Sequence, residues 1–282
     1  MEGVPENLDV MCMGGAVVDR TYRLHAPAIN GTSNPSSAQR SFGGVARNVT
    51  ENLARLRRSA GLVSLVGNDE AGQAILDQLA GLGVDVSGCT QHADVATAEY
   101  VAVMQPSGTL QMGLAAMDAF ETISPAMMLA VLPALQTATW VFADTNPPAE
   151  TLAELMAGKQ GFKLAVDCVS VPKAARLPDD LGAVDLLFAN LDEARALVGR
   201  DAAPEDIASA LLNKGAASVV LTLGAEGHVV ADRTRVTKVP AVPCTCLDVT
   251  GAGDALIAGT LHGLLQNLPL VEASRMGAGL AA

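Results

Sequence analysis

The heptapeptide Asp248-Val249-Thr250-Gly251-Ala252-Gly253-Asp254 places two glycines directly before a carboxylate, at the head of an apolar segment. From Ala255 onward the apolar residues recur at the spacing of a buried helix. The pattern therefore predicts a helix with Thr250 as its N-cap and residues 251–253 as its first turn. The other motifs of the chain indicate whether this turn has a chemical role.

A glycine-led first turn of this kind suits the binding of an anion. Its N–H groups point outward with the positive end of the helix dipole behind them, and glycines allow phosphate oxygens to approach closely. The dipole also favours the ionised form of Asp254, which could then accept a proton from an attacking hydroxyl. The alternative is a capped helix with an acidic first turn and no chemical role.

Composition limits the class of protein. The chain has 282 residues, of which 50% are hydrophobic and only 3% aromatic. This length suits one large α/β domain or two small ones, and small apolar residues suit helices packed on a parallel sheet. The net charge of −12 would repel a phosphate backbone, so we expect no binding of nucleic acid.

Compartment and metal content follow from other patterns. The number of cysteines, five, is odd and their spacing is irregular, which predicts no disulfide framework and a reducing, cytoplasmic location. The four histidines have no metal-ligand spacing, which makes a built-in transition metal improbable. The acidic start and the absence of a long apolar run predict no targeting signal and no membrane segment.

Strand-like and helix-like segments alternate along most of the chain. Buried strands are predicted at residues 10–15, 62–67, 140–143, 163–166, 186–189 and 219–223, at the intervals of a parallel sheet. Residues 17–42 and 97–117 interrupt the alternation, the second as a β-hairpin, and together predict a small β-sheet lid. No repeat or linker divides the chain, so we expect residues 1–282 to form a single domain.

A second glycine-led helix start lies at Gly43-Gly44-Val45-Ala46-Arg47-Asn48 and is predicted to open a helix through about Arg58. Paired glycines let a polyol lie against the backbone, and the Asn48 amide both donates and accepts hydrogen bonds, as sugar hydroxyls require. The alternative is a helix entry with a structural Asn48 and a solvated Arg47.

Two further segments follow predicted strands. Asn190-Leu191-Asp192-Glu193 brings an amide and a carboxylate to a strand end, where they could hold Mg²⁺ through water or form a capping box. Thr222-Leu223-Gly224-Ala225-Glu226-Gly227 supplies a glycine turn where the phosphates or ribose of a nucleotide could lie, although strand-to-turn glycines are common.

Taken in order, these motifs resemble the ribokinase-like family of carbohydrate and nucleoside kinases, also called the PfkB family. The resemblance covers nearly the whole chain and implies a three-layer α/β/α core with a mainly parallel sheet and a small β-sheet lid. It implies ATP as phosphoryl donor, Mg²⁺ and K⁺ as ions, and a nucleoside or sugar as acceptor. It also implies a homodimer formed through the lid.

The resemblance assigns roles to the matching residues. It makes Asp254 the catalytic base and Gly251, Ala252 and Gly253 the anion hole. Glu193 would organise Mg²⁺ through water, and Asp248 is a candidate ligand of a monovalent cation. The nucleotide would contact residues Asn190, Glu193, Thr222, Gly224 and Gly227, and the acceptor Asp19, Gly43, Gly44 and Asn48.

Within the family, the local sequence is most similar to the kinases that phosphorylate pseudouridine. The similarity lies in Ser33-Asn34-Pro35, in the extended segment after Gly43-Gly44, and in Val166-Asp167-Cys168-Val169-Ser170 with Lys173. Asp118 and Asp144 also fall where that subgroup carries Asp. This similarity implies that Asn34, Arg47, Asp118 and Lys173 contact the substrate, while Arg47 and Lys173 as solvated surface charges form the alternative.

Two rival functions and one departure remain. The acceptor could be ribose or another sugar, or the chain could be a catalytically silent nucleoside-binding protein. Family members continue beyond the position of Ala282, so the C-terminal end is expected to be truncated relative to them, which bears on ATP affinity and on K⁺ dependence.

Overall fold

The computed structural model describes residues 7–244 and 250–282. Strands and helices alternate along most of these residues. The strands are β1 (Val10–Met13), β2 (Val17–Leu24), β3 (Ser36–Gly43), β4 (Ala60–Val63), β5 (Leu65–Gly67), β6 (Thr90–His92), β7 (Glu99–Met104), β8 (Leu110–Ala116), β9 (Trp140–Asp144), β10 (Lys163–Asp167), β11 (Leu186–Asn190), β12 (Ser218–Thr222), β13 (His228–Asp232) and β14 (Val236–Val239). The helices are α1 (Val45–Arg55), α2 (Glu70–Gly81), α3 (Asp118–Glu121), α4 (Pro125–Leu135), α5 (Ala149–Ala157), α6 (Val171–Ala174), α7 (Leu191–Val198), α8 (Pro204–Asn213), α9 (Ala252–Leu265) and α10 (Leu270–Ala281).

The large sheet has eight strands in the order β14-β13-β12-β11-β10-β9-β1-β4. The six strands from β12 to β4 run parallel, and β13 and β14 extend the sheet antiparallel at one edge. The mainly parallel sheet is therefore confirmed. The antiparallel edge was not predicted.

Helices cover both faces of this sheet. Successive side chains of a strand point to opposite faces, and on β1 Cys12 belongs to one buried cluster, with Leu53 of α1 and Leu261 of α9. Met13 belongs to the other cluster, with Leu152 of α5. Burial of apolar surface on both faces drives this arrangement, and the predicted α/β/α layering is confirmed.

A separate four-stranded sheet has the order β3-β2-β7-β8. Its strands fall within the two segments that interrupt the strand–helix alternation, and β7 and β8 form the predicted hairpin. Strands β2 and β7 pair parallel, which joins the two segments into one sheet. The small second sheet of the predicted fold is thus present, while the assignment of residues 1–282 to one domain with this sheet as its lid stays a prediction.

Two predicted elements differ from the structure. The strand predicted over residues 62–67 breaks at Ser64, whose Oγ donates to the carbonyl of Gly14 at 2.6 Å, so that β5 leaves the large sheet and pairs with β6. The helix predicted from Gly43 to about Arg58 starts at Val45, because Gly44 has a φ of 95° that a helix cannot contain, and it ends at Arg55.

No helix formed by residues 7–244 and 250–282 combines the length and apolar character needed to cross a bilayer.

Candidate active site

Polar side chains gather at one edge of the large sheet. Asp144, Asp167, Asn190 and Thr222 are the last residues of β9, β10, β11 and β12, which lie side by side in parallel. Asp144 pairs in register with Asp167, and Asn190 with Thr222. Ligands of open parallel sheets bind outside the carboxyl ends of the strands, so this edge is the candidate site.

A cavity of about 190 Å³ lies at this edge. It brings the predicted base together with three of the residues predicted to contact the nucleotide. Its lining residues are Val45, Asp167, Val169, Phe188, Ala189, Asn190, Glu193, Thr222, Gly253, Asp254, Leu256 and Ile257. Residues that lie far apart in the sequence thus share one space, as a two-substrate site requires.

The helix that carries Asp254 starts differently from the prediction. It begins at Ala252, and Gly251 rather than Thr250 occupies the N-cap position, so the predicted N-cap is wrong. Gly251 has a φ of 77°, in the left-handed region that glycine adopts without steric cost. A Cβ on Gly253 would meet no atom of the described residues within 4 Å. The described residues therefore leave room for a ligand at the start of α9.

The Asp254 carboxylate is held by a side chain of another helix. Asn48 Nδ2 donates to Asp254 Oδ2 at 2.7 Å. Burial raises the pKa of Asp254 to about 6, the hydrogen bond from Asn48 and the charge of Arg47 oppose that rise, and the charges of Asp144 and Asp19 add to it. Burial thus affects this pKa more than the helix dipole, which was expected to favour the ionised form of Asp254. A carboxyl group with a pKa of about 6 is still mostly ionised at pH 7 and is suited to act as a base.

Asp144 organises the start of α1. It is fully buried, and its Oδ2 accepts the N–H groups of Gly15 at 2.8 Å and Ala46 at 3.0 Å, while Oδ1 accepts that of Asn146 at 2.9 Å. Burial raises the pKa of Asp144, and these three bonds oppose the rise. Among the candidate site residues predicted from sequence, Asp144 had no role. The signal in the sequence is its position directly after the predicted strand of residues 140–143.

Gly43 and Gly44 are needed for close packing. A Cβ on Gly43 would lie 2.0 Å from Asp19 Oδ2, and a Cβ on Gly44 would lie 2.3 Å from the carbonyl oxygen of Gly15. Asp19 is partly buried, which raises its pKa, and the charge of Arg47 opposes the rise. The structure therefore packs Asp19 against Gly43, brings the charge of Asp19 near Asp254 and joins Asn48 to Asp254 directly.

Arg47 and Lys173 are not solvated surface charges, so that alternative is wrong. Arg47 is 4% exposed and ion-paired with Glu51. Lys173 is half-buried, and its Nζ donates to Asn146 Oδ1. Burial lowers the pKa of Lys173, an effect that the charge of Asp144 opposes. Asn146, which the sequence patterns did not single out, joins Lys173 to the turn held by Asp144.

Asn34 and Asp118 lie in more exposed positions. Asn34 makes its hydrogen bonds within its own loop, to Ile29 and to the carbonyl of Thr32. Asp118 is exposed in the first turn of the short helix α3. Their contact with an acceptor stays a prediction.

Asn190 and Glu193 form the capping box that was one of the two interpretations of this segment. Glu193 N donates to Asn190 Oδ1 at 2.9 Å, while Glu193 Oε2 accepts from the Asn190 N–H at 2.9 Å and Oε1 from its Nδ2 at 2.7 Å. Both oxygens of Glu193 are therefore fixed in direction at the cavity wall. Each oxygen of Glu193 has a second lone pair that can accept a hydrogen bond from a metal-bound water. A water-mediated metal contact is therefore compatible with the capping box.

The turn after β12 lies next to this wall. Thr222 lines the cavity, whereas Gly224 and Gly227 form the following tight turn, with φ values of 59° and 93°. A Cβ on Gly227 would lie 2.1 Å from the carbonyl oxygen of Val239, so this glycine allows the turn to pack against the chain after β14. Contact of Gly224 and Gly227 with a nucleotide stays a prediction.

The donor set of the cavity fits a divalent cation. Burial, and after it the charge of Glu193, hold the pKa of Asp167 well above its usual range, and burial also raises the pKa of Glu193. Two carboxyl groups that repel each other at a cavity suit a hard cation with oxygen ligands. In the described part of the chain no three acidic, His or Cys side chains cluster as metal ligands, so water would complete the shell. Asp248, the candidate ligand of a monovalent cation, lies outside the described residues.

Comparison with known proteins agrees with this geometry. The sequence profile of the pfkB family of carbohydrate kinases matches residues 7–282. The chain therefore belongs to this family, whose kinases use ATP with a divalent metal ion. It is accordingly a kinase-type phosphotransferase by family.

Individual relatives are similar over nearly the whole chain. The pseudouridine kinase of Escherichia coli (strain K12) is 29% identical over 278 residues, which cover 97% of this chain and 89% of that protein. The solved structure of a carbohydrate kinase from Agrobacterium tumefaciens matches with a TM-score of 0.87 and 31% identity, covering 97% of this chain and 89% of that one. The ribokinase of Thermotoga maritima has a TM-score of 0.88 at 19% identity, covers 98% of this chain and 92% of that one, and shows the shared fold.

Proposed function

We propose that this chain transfers the γ-phosphoryl group of ATP to the 5′-hydroxyl of a nucleoside, and that this nucleoside is pseudouridine. The observation that carries the proposal is the carboxylate of Asp254, held by Asn48 at the open start of α9. The similarity to a pseudouridine kinase supports the choice of acceptor.

In the proposed reaction Asp254 takes the proton of the acceptor hydroxyl. The hydroxyl oxygen bonds to the γ-phosphorus, the bond from that phosphorus to the bridging oxygen breaks, and ADP leaves. The N–H groups of residues 251–253 receive the charge on the transferring group, and the open space at Gly253 lets its oxygens approach. Positioning and charge stabilisation supply most of the rate in such transfers.

The donor side is assigned to the cavity. Asn190, Glu193 and Thr222 line it and would contact the nucleotide, with Gly224 and Gly227 in the adjoining turn. Glu193 would hold Mg²⁺ through water, and the ion, when bound, neutralises phosphate charge. Asp248 remains the proposed ligand of a monovalent cation such as K⁺.

The acceptor side is assigned to the residues of α1 and β2 that lie near Asp254. Asp19 and Asn48 would bind ribose hydroxyls beside Gly43 and Gly44. Lys173, together with Asn34 and Asp118, would contact the base, whose several polar edges require donors and acceptors.

Substitution of the base tests the reaction. The substitution Asp254→Asn removes the proton acceptor but keeps a similar volume, so kcat should fall by about a thousandfold, within the range of general-base contributions. ADP production is measured with pseudouridine, uridine, adenosine, ribose and fructose as acceptors. Asp192→Asn, at an exposed position on α7, is the matched control and should keep wild-type turnover. Near-normal phosphorylation by Asp254→Asn would contradict the role of Asp254.

The acceptor panel also separates the rival functions. Preference for ribose or fructose would make the chain a sugar kinase, a class supported by its similarity to a carbohydrate kinase structure. Binding of pseudouridine without turnover in the presence of Mg-ATP would indicate a nucleoside-binding protein without activity. Phosphorylation of pseudouridine ahead of the other four compounds supports the proposal.

We also propose a homodimer through the four-stranded sheet, with the reaction in the cytoplasm. Leu110, Met112 and Leu114 of the edge strand β8 are 50%, 54% and 53% exposed, and the pairing with β7 places Met112 and Leu114 on one face. Exposed apolar side chains on an unpaired edge favour association with another sheet. The mass from light scattering should be that of two chains, and the substitution Met112→Lys should reduce it. A wild-type mass of one chain would contradict the dimer.

A further inference from the structure

A buried cation lies directly behind the residue that holds Asp254. Arg47, on α1, has a side chain that is 5% exposed. Its Nη1 donates to the carbonyl oxygen of Phe42 at 3.1 Å and to Asn48 Oδ1 at 2.8 Å. Its Nη2 is ion-paired with Glu51 and donates to Gln78 Oε1. The guanidinium thus ties α1 to β3 and to α2.

These contacts engage the guanidinium within the protein. Its plane also lies over the ring of Phe42, with the central carbon 5.9 Å from the ring centroid. Both terminal nitrogens have partners, and within residues 7–244 and 250–282 the buried Nε has none. Arg47 therefore cannot bind a nucleoside edge without breaking contacts that pair its buried charge, and a buried charge that loses its partner is costly.

The contacts also determine which way the Asn48 amide points. A guanidinium can only donate hydrogen bonds, so it must meet the amide oxygen of Asn48. An ionised carboxylate can only accept, so Asp254 must meet the amide nitrogen. The observed arrangement, Nη1 to Oδ1 and Nδ2 to Oδ2, satisfies both conditions, and the reversed amide satisfies neither.

We infer that Arg47 is a positioning residue, which fixes the Asn48 amide and through it the orientation of the Asp254 carboxylate. This inference rests on the proposed function, because orienting Asp254 has a catalytic consequence only if that carboxylate is the base. Asn48 engages Oδ2, so Oδ1 is assigned to receive the proton of the acceptor hydroxyl. Arg47 thereby acts through Asn48 rather than on the substrate.

Glu51 and Gln78 hold Arg47 in place. The side chain of Glu51 is 14% exposed and pairs with both Arg47 and Arg55, one turn to either side on α1. Burial raises the pKa of Glu51, and the bonds and charges of these two arginines outweigh burial and lower it. Glu51 is thus an anion at neutral pH, and it compensates the charge of Arg47 at the point where α1 meets α2.

Within the described part of the chain, charged groups from five elements surround Asp254, and Glu193 on α7 lines the same cavity. Asp19 on β2, Asp144 on β9 and Asp167 on β10 are acidic, and Arg47 on α1 is the cation that acts against them. Removing Arg47 therefore removes both the fixed amide and the opposing positive charge. Each loss makes the ionised form of Asp254 less favourable.

The test removes the ion pair as a unit. The double variant Arg47→Met/Glu51→Leu replaces both buried charges by apolar side chains of similar length, which leaves no buried charge unpaired. We expect kcat to fall about tenfold and the acceptor KM to change less than about threefold, because the lost interaction acts in the transition state. The titration is followed in the ¹³C carboxyl resonance of Asp254, which is assigned with Asp254→Asn. In the double variant its midpoint should lie clearly above the pKa of about 6 that burial sets in the wild type.

The matched control is Arg55→Met. Arg55 contacts the same carboxylate of Glu51, but its side chain is 60% exposed and its hydrogen bonds and ion pair among the described residues go to Glu51. It should keep the wild-type kcat and the wild-type midpoint. A folded double variant with unchanged kcat and midpoint would overturn the positioning role.

Two further outcomes are informative. If thermal unfolding shows that the double variant does not fold, Arg47→Lys takes its place, because lysine keeps the charge but lacks the planar guanidinium. The same two measurements are made on it. A raised midpoint of the Asp254 titration supports the inference, and an unchanged midpoint overturns it. If the wild type phosphorylates none of the five acceptors, the proposed function fails, while the midpoint in the variants still decides whether Arg47 positions Asp254.

Discussion

Helices α1 and α9 both begin after glycines, and both carry a polar residue of the site in or near the first turn. The starts nevertheless differ in what surrounds them. At α1 the glycines contact protein atoms and the helix N–H groups bind the protein itself. At α9, among residues 7–244 and 250–282, a Cβ on Gly253 would meet no atom within 4 Å and one on Gly251 would meet only Asp254 Oδ2. Similar sequence patterns therefore produce one filled helix start and one that is available to a ligand.

The start of α1 is filled by a carboxylate of the protein. Asp144 Oδ2 accepts the N–H of Ala46, and the carbonyl of Gly15 accepts that of Arg47 at 3.1 Å. Gly44 allows this approach, because any Cβ would collide with the Gly15 carbonyl. The glycines of α1 thus serve packing.

The start of α9 has no such packing. A Cβ on Gly251 would come no closer than 3.9 Å to Asp254 Oδ2, and one on Gly253 would meet nothing among the described residues. The missing Cβ at these positions therefore gives room rather than contact, and at Gly251 glycine also permits the positive φ. The surroundings of the missing Cβ thus distinguish a glycine that packs against protein atoms from one that leaves room beside it.

The largest effect that tests this comparison is on folding. Gly44→Ala should lower the free energy of unfolding by about 3 kcal/mol, because alanine is strained at positive φ and its Cβ would overlap the backbone. The measurement is denaturant unfolding followed by circular dichroism.

Gly253→Ala is the matched control at α9. Its backbone is helical and its surroundings are open, so the free energy of unfolding should stay equal or rise by about 0.5 kcal/mol. A neutral Gly44→Ala, or a Gly253→Ala that loses as much stability, would remove the distinction between the two starts.

A smaller effect concerns pH and the carboxylate of α9. Burial raises the pKa of Asp254 to about 6, and only the ionised form can accept a proton. The acceptor kcat/KM at saturating Mg-ATP should therefore be level above that pH and fall about tenfold, or 1.4 kcal/mol, for each pH unit below it. The measurement is the rate profile from about pH 5 to about pH 8.

Asn48→Ala sharpens the same test. Without the hydrogen bond from Asn48 the ionised form of Asp254 is less stable. The fall in kcat/KM at low pH, called here the acidic limb of the profile, should therefore begin at a higher pH. A profile that stays flat through pH 6, or a limb that moves to lower pH in Asn48→Ala, would show that Asp254 does not control the limb.

Much of the fold could be predicted because it depends on local patterns. Apolar strands separated by amphipathic helices predict a parallel sheet, and the hairpin around Pro106 was visible as two alternating segments. The break at Ser64 could not be predicted, because it depends on a hydrogen bond to Gly14, 50 residues earlier. The N-cap of α9 was wrong because Thr250 has the preferred residue type, whereas Gly251 supplies the left-handed turn.

The sequence by itself determined the class of protein and the candidate residues of the site. Asp254 after a glycine turn, Asn48 after paired glycines, and Glu193 three residues after Asn190 all carry their chemistry in local spacing, because caps and turns form between neighbours in the chain. Family membership followed from the order of these motifs.

Only the tertiary structure decided how these residues act. It buried Arg47 and joined it to Asn48, brought Asn48 to a carboxylate 206 positions away, and closed the start of α1 with Asp144 while leaving that of α9 open. The physical reason is that burial, charge pairing and space around a glycine depend on atoms contributed by distant segments. Spacing along the chain fixes which groups are present, and packing fixes their partners and their proton affinity.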